Sequence, residues 1–279
     1  MDIGDDVGMF GVRAINSFVL LDADSIPSNM LWERVRTELA NGRAVRICGE
    51  LVTPLLERFG IQHGDTRYLP ITPSMPPPEW LIRTRDVMLA GAALLVLSPL
   101  LLVLALAVKL SSPGPIFHAA TVVGISKQHF IWRKFRSMIV VAERQDHAAR
   151  REQFRAYVEN KRQGKVIDAT RVTRLGKFLR RYSLDELPQL WNVVKGDMTL
   201  VGPRPCLPYE EEMFPAWSAA RFQVRPGLTG VWQIAGRSRV TFTQGLAMDL
   251  YYRYARSFWL DLYIIVQTAR VIVRGEGGE

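Results

Sequence analysis

An uninterrupted apolar run limits the folds open to this 279-residue chain more than any other feature. Residues 87–108 read VMLAGAALLVLSPLLLVLALAV and contain no charged side chain. A surface helix of a soluble protein would carry a polar stripe, whereas this segment is apolar on every face. A helix of this length is also long enough to cross a bilayer core of about 30 Å. The segment therefore predicts a helix embedded in a membrane.

Two features bear on how this helix lies in the bilayer. Ser98 and Pro99 stand near its middle, and proline there removes a backbone hydrogen bond and bends the helix. The freed carbonyl needs a partner, which the Ser98 hydroxyl or neighbouring protein can supply. Basic residues flank the run on both sides, which by the positive-inside tendency places both ends in the cytoplasm. A re-entrant helix over about residues 84–110 satisfies both features, and a proline-kinked span is the alternative.

The net charge of +9 is unevenly distributed along the chain. Residues 1–79 hold 7 basic and 11 acidic side chains, whereas residues 127–181 hold 16 basic and 5 acidic ones. The cationic block predicts a polyanionic partner, which could be a nucleic acid, anionic lipid headgroups or a phosphorylated substrate.

With only Cys48 and Cys206, the sequence argues against a disulfide scaffold and fits a reducing compartment.

The chain divides by pattern into three parts. Residues 10–60 alternate strand, helix, strand and helix, which predicts a small α/β module of unknown role over residues 1–68. Residues 69–80, LPITPSMPPPEW, are a Pro-rich linker, and residues 81–279 form the membrane-anchored remainder. Within the module, Asp22 and Asp24 follow the first strand. They fit either a DxD metal site or, more commonly, a capped strand-to-helix turn.

Several shorter patterns follow the apolar run. Residues 130–138 predict a strand, residues 173–182 a basic amphipathic helix, and residues 258–274 a core or interfacial helix. Residues 183–196, SLDELPQLWNVVKG, predict a helix that ends at Gly196. The side chains expected on its apolar face are Leu184, Leu187, Trp191 and Val194.

The adjacent acids Asp185 and Glu186 have two interpretations. Ser183 followed three residues later by Glu186 fits a capping box, and acids in a first helical turn also suit the helix dipole. The alternative is a catalytic pair, because four cations lie in the eleven residues before Asp185.

Six motifs, in this order, resemble those of the bacterial sugar transferases that move a sugar phosphate onto a polyprenyl phosphate. They are the Ser98-Pro99 segment, KFRSM, SLDELPQLWNVVKGDM, VGPRP, RPGLTGVWQIAGRS and MDLYY, and the likeness covers roughly residues 80–279. Because that family is monotopic, the resemblance implies a re-entrant helix broken at Ser98 and Pro99. It also implies a mostly helical α+β catalytic domain with interfacial amphipathic helices, at the cytoplasmic face of the bacterial inner membrane.

The resemblance implies roles for individual residues. Asp185 would be the nucleophile that attacks the phosphorus nearest the sugar of a nucleoside diphosphate sugar, giving an aspartyl phosphosugar that polyprenyl phosphate then attacks. Glu186 would complete the catalytic pair and bind magnesium (Mg2+), and Arg180 would meet the lipid phosphate. The other expected substrate- or phosphate-binding residues are Lys134, Arg136, Arg204, Arg237 and Asp249.

One departure from the family pattern keeps a second function open. Where the family usually has Gln-x-Arg, this chain has Ala120 and Val122, which makes a non-catalytic membrane scaffold of the same fold the alternative.

The expected partners are a UDP-sugar donor, a polyprenyl (undecaprenyl) phosphate acceptor and membrane lipids. GLTGVWQ resembles the members of that family that use plain hexose donors such as UDP-glucose or UDP-galactose. No nucleic acid is expected, because no aromatic and basic residues interleave as stacking platforms. The oligomeric state, monomer or homodimer, is open.

Overall fold

A computed structural model describes residues 18–73, 75–139, 143–159, 171–235 and 240–275. The strands are β1 (Phe18–Asp22), β2 (Ala44–Cys48), β3 (Ile61–His63), β4 (Thr66–Ile71), β5 (Phe117–Val123), β6 (His129–Phe135), β7 (Thr199–Val201) and β8 (Gly227–Thr229). The helices are α1 (Ser28–Ala40), α2 (Thr53–Phe59), α3 (Glu79–Ser111), α4 (Glu143–Glu159), α5 (Arg174–Arg181), α6 (Gln189–Lys195), α7 (Pro208–Glu211), α8 (Val231–Ala235), α9 (Phe242–Ala255) and α10 (Phe258–Val273). Helices predominate beside small separate sheets, which agrees with the predicted α+β class.

The N-terminal sheet has the strand order β1-β2-β4-β3. Helix α1 connects the parallel pair β1 and β2, and β4 runs antiparallel to β2. Leu69 and Ile71 are buried on β4 opposite Ile47 and Val45. Because these side chains belong to the core, the sheet extends to Ile71, three residues into the stretch predicted as a linker.

The acids at the end of β1, Asp22 and Asp24, stabilise a turn. Asp22 accepts a hydrogen bond from the backbone N–H of Asp24 at 3.0 Å, and Asp24 accepts one from the backbone N–H of Glu50 at 2.8 Å. These contacts are those of a capped turn. In the described parts of the chain, no three His, Cys, Asp or Glu side chains are placed to hold a metal.

Segments before and after α3 share one hydrophobic core. Trp32 of α1 stacks on Tyr254 of α9 with ring centroids 6.2 Å apart, and Phe59 of α2 packs on Tyr251 with centroids 5.4 Å apart. The same cluster joins Val45 and Leu69 to Val201, Met248 and Ile264. The N-terminal module is therefore packed directly against the chain that follows the apolar helix.

Helix α3 continues through Pro99 over 33 residues. The Ser98 hydroxyl donates to the Leu95 carbonyl at 2.8 Å, which is the carbonyl that Pro99 leaves without an N–H donor. The local partner predicted from the sequence is thus present. Leu95 is 77% exposed and Leu102 is 72% exposed, and in length and composition the helix could cross a membrane.

Both ends of α3 contact the same globular body. Near its start, the Arg85 guanidinium donates to Asp261 of α10 at 2.7 Å, and the Thr199 hydroxyl donates to Asp86. Beyond Pro99, Leu104 packs in a buried cluster with Phe135 of β6 and Leu179 of α5.

Strands β7 and β8 approach so closely that glycine is required between them. A Cβ atom on Gly227 would lie 2.1 Å from the Gly202 nitrogen, and one on Gly230 would lie 2.2 Å from the Gly202 carbonyl oxygen. No other residue type leaves this backbone room. The contact fixes the start of the loop that carries Arg204.

Candidate active site

The adjacent acids lie in a 3-10 turn, Leu184–Glu186, and not in the first turn of an α-helix. Ser183 has left-handed backbone angles, with φ 52° and ψ 23°, and its side chain makes no capping hydrogen bond to the turn. The predicted capping box is therefore wrong, because the left-handed conformation turns the backbone before the acids. Helix α6 begins only at Gln189.

The late start of α6 also changes its buried face. Leu190 and Val193 are buried, whereas Trp191 is 55% exposed. The predicted apolar face assumed one continuous helix from residue 184, and the 3-10 turn alters the periodicity. Gly196 ends the helix with φ 101°, as predicted.

Asp185 is 5% exposed and lies near cations from two other elements, Lys134 of β6 and Arg180 of α5. Burial and the neighbouring Glu186 raise the pKa of Asp185 to about 6, while Lys134 and Arg180 oppose this shift. Burial lowers the pKa of Lys134, with Asp185 and Glu186 acting in the opposite direction. Burial likewise lowers the pKa of Arg180, against the attraction of Asp185. The cluster therefore concentrates charge of both signs where solvent is largely excluded.

Glu186 and Arg204 form the second contact of this cluster. An Arg204 guanidinium nitrogen lies 3.5 Å from a Glu186 carboxylate oxygen. The guanidinium also lies near two indole rings, 5.6 Å from the Trp132 centroid and 5.5 Å from the Trp232 centroid. The Lys134 ammonium lies 4.9 Å from the Trp132 ring. These distances are within the range of cation–π attraction, so the indoles help to hold both cations.

The turn that carries the acids also contacts the half of α3 beyond Pro99. Leu184 and Leu187 flank the acids and pack with Leu101 and Leu104 in one cluster. Ser98 and Pro99 thus stand in the helix that supports the acidic turn.

Arg136 is not brought into this cluster. It is 5% exposed, and its guanidinium donates to the carbonyls of Val108 at 3.0 Å and Ser112 at 2.6 Å, at the end of α3. A cation at a helix C-terminus stabilises the carbonyl end of the dipole. Arg136 therefore reinforces the end of the apolar helix, and its phosphate-binding role stays a prediction. Lys134 and Arg136 would share a face if both lay on one strand, because side chains two residues apart on a strand point the same way. Arg136 follows Phe135, the last residue of β6, so this alternation does not place it beside Lys134.

Asp249 lies behind the cluster and not within it. Its carboxylate accepts a hydrogen bond from Arg221 Nε at 2.9 Å and forms an ion pair with Nη2 at 2.8 Å. Burial raises the pKa of Asp249 against the opposing effect of Arg221. Arg221 also donates to the Arg204 carbonyl at 2.7 Å. No sequence motif marks Arg221, because its importance comes from contacts with distant residues. Arg237 lies outside the described residues.

Farther along the hairpin from Lys134, the strand face that it shares with Trp132 is apolar at positions 120 and 122. Ala120 is opposite Trp132 across the β5–β6 hairpin, and Val122 is 1% exposed in a cluster with Trp132 and Ala90. Ala120 and Val122 therefore contribute apolar packing at the two positions where the family pattern has Gln and Arg.

The donor set can be compared with the needs of a hard divalent cation. Magnesium is usually held by one or two carboxylates together with substrate phosphates. Asp185 and Glu186 supply two adjacent carboxylates, whereas no group of three candidate ligands occurs in the described ranges. The pair therefore fits a magnesium ion that arrives with a phosphorylated substrate, and it does not fit a site made of protein ligands alone.

The known proteins that this chain resembles are sugar transferases and exopolysaccharide production proteins. The model of the bacterial sugar transferase family matches residues 78–275. The exopolysaccharide production protein ExoY of Rhizobium meliloti is 39% identical over 199 residues, which are 70% of this chain and 86% of the relative. The UDP-glucose:undecaprenyl-phosphate glucose-1-phosphate transferase of Caulobacter vibrioides is 38% identical over 238 residues, covering 78% of this chain and 84% of the relative.

A third relative is matched over less of its own length. The undecaprenyl-phosphate galactose phosphotransferase of Salmonella typhimurium is 35% identical over 199 residues, 71% of this chain but 42% of the relative. The matched region in this chain contains α3, the acidic turn and the Arg204 loop. The protein is therefore a phosphoglycosyl transferase and belongs to the bacterial sugar transferase family.

Proposed function

We propose that the protein transfers a hexose 1-phosphate from a UDP-hexose to polyprenyl (undecaprenyl) phosphate and so starts exopolysaccharide or glycoconjugate synthesis. The observation that carries the proposal is Asp185, a buried carboxylate with a pKa raised to about 6 among Lys134, Arg180 and Arg204. The name of the Caulobacter relative supports the donor and acceptor classes, and the name of the Salmonella relative supports the acceptor.

In the first half-reaction, a carboxylate oxygen of Asp185 attacks the phosphorus nearest the sugar. A new oxygen–phosphorus bond forms, the bond to the bridging oxygen of the diphosphate breaks, and UMP leaves. In the second half, a phosphate oxygen of the polyprenyl phosphate attacks the same phosphorus and displaces Asp185. The product is a polyprenyl diphosphate hexose. A covalent intermediate of this kind divides one difficult displacement into two easier ones.

The cations of the cluster stabilise the charge that this chemistry develops. Negative charge collects on phosphate oxygens in phosphoryl transfer, so catalysis rests on positioning and electrostatic stabilisation. Lys134 and Arg204 come from β6 and the loop after β7 and would bind the diphosphate, and Arg180 would bind the lipid phosphate. Arg180 belongs to α5, whose Leu179 packs on Leu104 and Val108 of the membrane helix, and this location supports its assignment to the acceptor. Glu186 would hold magnesium together with substrate phosphates, and the ion when bound would neutralise phosphate charge.

The packing of the chain supports a re-entrant helix α3 at the cytoplasmic face of the inner membrane. A spanning helix would separate residues 18–73 from residues 112–275 by a bilayer, yet side chains of the two parts share one core. The two ends of α3 also contact one globular body, through Asp261 and Phe135. A monotopic arrangement meets both conditions, and the basic residues Arg83 and Lys109 on the flanks favour the cytoplasmic side.

The covalent intermediate is tested by mass spectrometry. Full-length protein in lipid nanodiscs is incubated with magnesium and members of a UDP-sugar panel labelled in the sugar, without polyprenyl phosphate, and then quenched. We expect UMP release and a hexose-phosphate adduct on the peptide that bears Asp185, and no adduct in Asp185→Asn. Asp65→Asn, in the exposed turn between β3 and β4, is the matched control and should keep the adduct.

The remaining outcomes separate the alternatives. Full turnover with acceptor but no adduct in its absence would indicate direct transfer. No UMP release with any donor, with or without acceptor, would favour the non-catalytic scaffold that the apolar Ala120 and Val122 make a second candidate.

A further inference from the structure

Arg221 is buried behind the candidate site, and all three nitrogens of its guanidinium make polar contacts. It lies in the 3-10 segment Ala216–Gln223 and is 5% exposed. Its Nε and Nη2 atoms contact the Asp249 carboxylate at 2.9 Å and 2.8 Å. Nη2 also donates to the Arg204 carbonyl at 2.7 Å, and Nη1 donates to the Cys206 Sγ at 3.5 Å. The rings of Phe214 and Phe222 lie 4.8 Å and 5.1 Å from its guanidinium carbon.

The loop that Arg221 contacts has little freedom of its own. Arg204 stands between Pro203 and Pro205; proline fixes its own φ and restricts the residue before it to extended conformations. Arg221 holds this loop on both sides of Pro205, at the Arg204 carbonyl and the Cys206 sulfur. The Cys206 carbonyl accepts from the Val123 N–H at 2.8 Å, which joins the loop to the hairpin that carries Lys134.

The Arg204 side chain extends from this anchored backbone toward the acids. It is 33% exposed and lies 3.5 Å from Glu186, whereas Arg221 is nearly inaccessible. Arg221 is therefore placed to influence substrate only through Arg204.

A structural role alone explains such a buried pair poorly. Removing two charges from water costs free energy that their attraction often does not recover, and apolar residues of similar volume are often as stable. A buried pair that also holds the backbone of a site residue gains more by fixing that residue's position.

We propose that Arg221 and Asp249 form a positioning pair that sets the Arg204 backbone, and through it the guanidinium that faces Glu186 and the donor diphosphate. The proposal rests on the proposed function for its kinetic consequence. Neither Arg221 nor Asp249 touches substrate, and both act through Arg204.

The test compares Arg221→Lys with Arg204→Gln and with the double variant, in full-length protein in nanodiscs. Lysine can keep one contact with Asp249 but cannot also donate to Arg204 and Cys206 in the same geometry. We expect kcat/KM for the donor to fall by about 10- to 100-fold, since small misplacements near reacting groups cost on this scale. The Km for polyprenyl phosphate should change little. In the Arg204→Gln background, Arg221→Lys should add less than about threefold, because residues that act through one group are not additive.

A second readout does not depend on activity. Hydrogen–deuterium exchange of the peptide containing residues 202–206 should rise in Arg221→Lys and in Asp249→Asn, while exchange in α10 stays as in wild type. Arg253→Gln is the matched control, because Arg253 makes an exposed contact with Gln223 at 3.1 Å and should leave both activity and loop exchange unchanged.

Three results would overturn the positioning role. The first is that Arg221→Lys lowers activity by the same factor in the wild-type and Arg204→Gln backgrounds. The second is that Arg221→Lys leaves loop exchange and kcat/KM unchanged. The third is that Arg221→Lys and Asp249→Asn both fail to fold. If wild type released no UMP with any donor, the proposed function would fail, and loop exchange alone would still decide whether Arg221 and Asp249 fix the Arg204 loop.

Discussion

At the scale of single residues, Asp185 is the side chain whose charge and environment conflict most clearly. A carboxylate that is 5% exposed and beside Glu186 has a pKa raised to about 6, even though cations surround it. Such a group is expensive to keep ionised, and sites of this kind are more often functional than structural. Its burial is also what separates it from an ordinary first-turn acid, which would be solvated.

We expect donor turnover to rise with pH and to level off above about pH 6, because only the ionised Asp185 is a nucleophile. Initial rates of UMP release between pH 5 and pH 8 measure this. A rate that is independent of pH across this interval would contradict the assignment.

The same pKa makes a prediction for stability. Because the pKa of Asp185 is raised from 3.8 to about 6, the folded state binds more protons than the unfolded state between these values. The contribution of Asp185 to stability is therefore present at pH 4 and is lost as pH rises to about 6. Asp185→Asn lacks this titration, so its Tm relative to wild type should be higher at pH 7.5 than at pH 4. If Asp185 served only the helix dipole, the variant would instead lose about 0.3–1 kcal/mol at neutral pH.

At the scale of secondary-structure elements, α3 joins the membrane to the site. Its Ser98 hydroxyl replaces the donor that Pro99 lacks, Arg136 donates to its terminal carbonyls, and Leu101 and Leu104 support the turn that carries the acids. The same helix that anchors the protein thus supports the candidate nucleophile.

We expect both ends of α3 to be accessible from the cytoplasmic side only. In a Cys48→Ser background, single cysteines introduced at Met75 and at Pro115 should react with a membrane-impermeant maleimide only after the cells are permeabilised. Cys206 is buried and serves as the internal blank. Labelling of one position in intact cells and of the other only after permeabilisation would indicate a spanning helix.

At the scale of the whole molecule, the N-terminal module is part of the protein's main core. The stacking of Trp32 on Tyr254 and of Phe59 on Tyr251 covers apolar side chains of α9, and the Gln244 side chain donates to the Glu50 carbonyl at 3.1 Å. These contacts couple the module to the helix that carries Asp249.

We expect Trp32→Ala to lower the stability of the module and the transferase domain together. Trp32 is 2% exposed, and truncation of a buried tryptophan costs about 3–5 kcal/mol. Thermal unfolding should move to lower temperature as one transition, by circular dichroism and by loss of UMP release alike. Met30→Ala on the same helix, where Met30 is 59% exposed, is the control. Two separate transitions, with only one of them shifted, would show that the module folds independently.

The sequence by itself determined the features that depend on neighbouring residues. The apolar run, the Ser98 hydroxyl as the local partner beside Pro99, the α+β class and the stop at Gly196 follow from composition and short-range sterics, which one segment contains in full. The structure also brings five predicted residues together, namely Lys134, Arg180, Asp185, Glu186 and Arg204. That prediction came from the family resemblance, because nothing local to these five positions specifies that they meet.

Only the tertiary structure decided the features that depend on which distant segments pack together. The capping box failed because Ser183 adopts a left-handed conformation, which the local pattern does not encode. Arg136 serves the end of α3 because that end packs beneath β6, and Asp249 lies behind Arg204 because α9 brings it to Arg221. Arg221 carries no local signal, since a buried cation is defined by partners that lie 17 and 28 residues away along the chain. The free energy of packing is shared among many such distant contacts. Which of them form depends on the whole folded chain, so a local sequence pattern does not specify them.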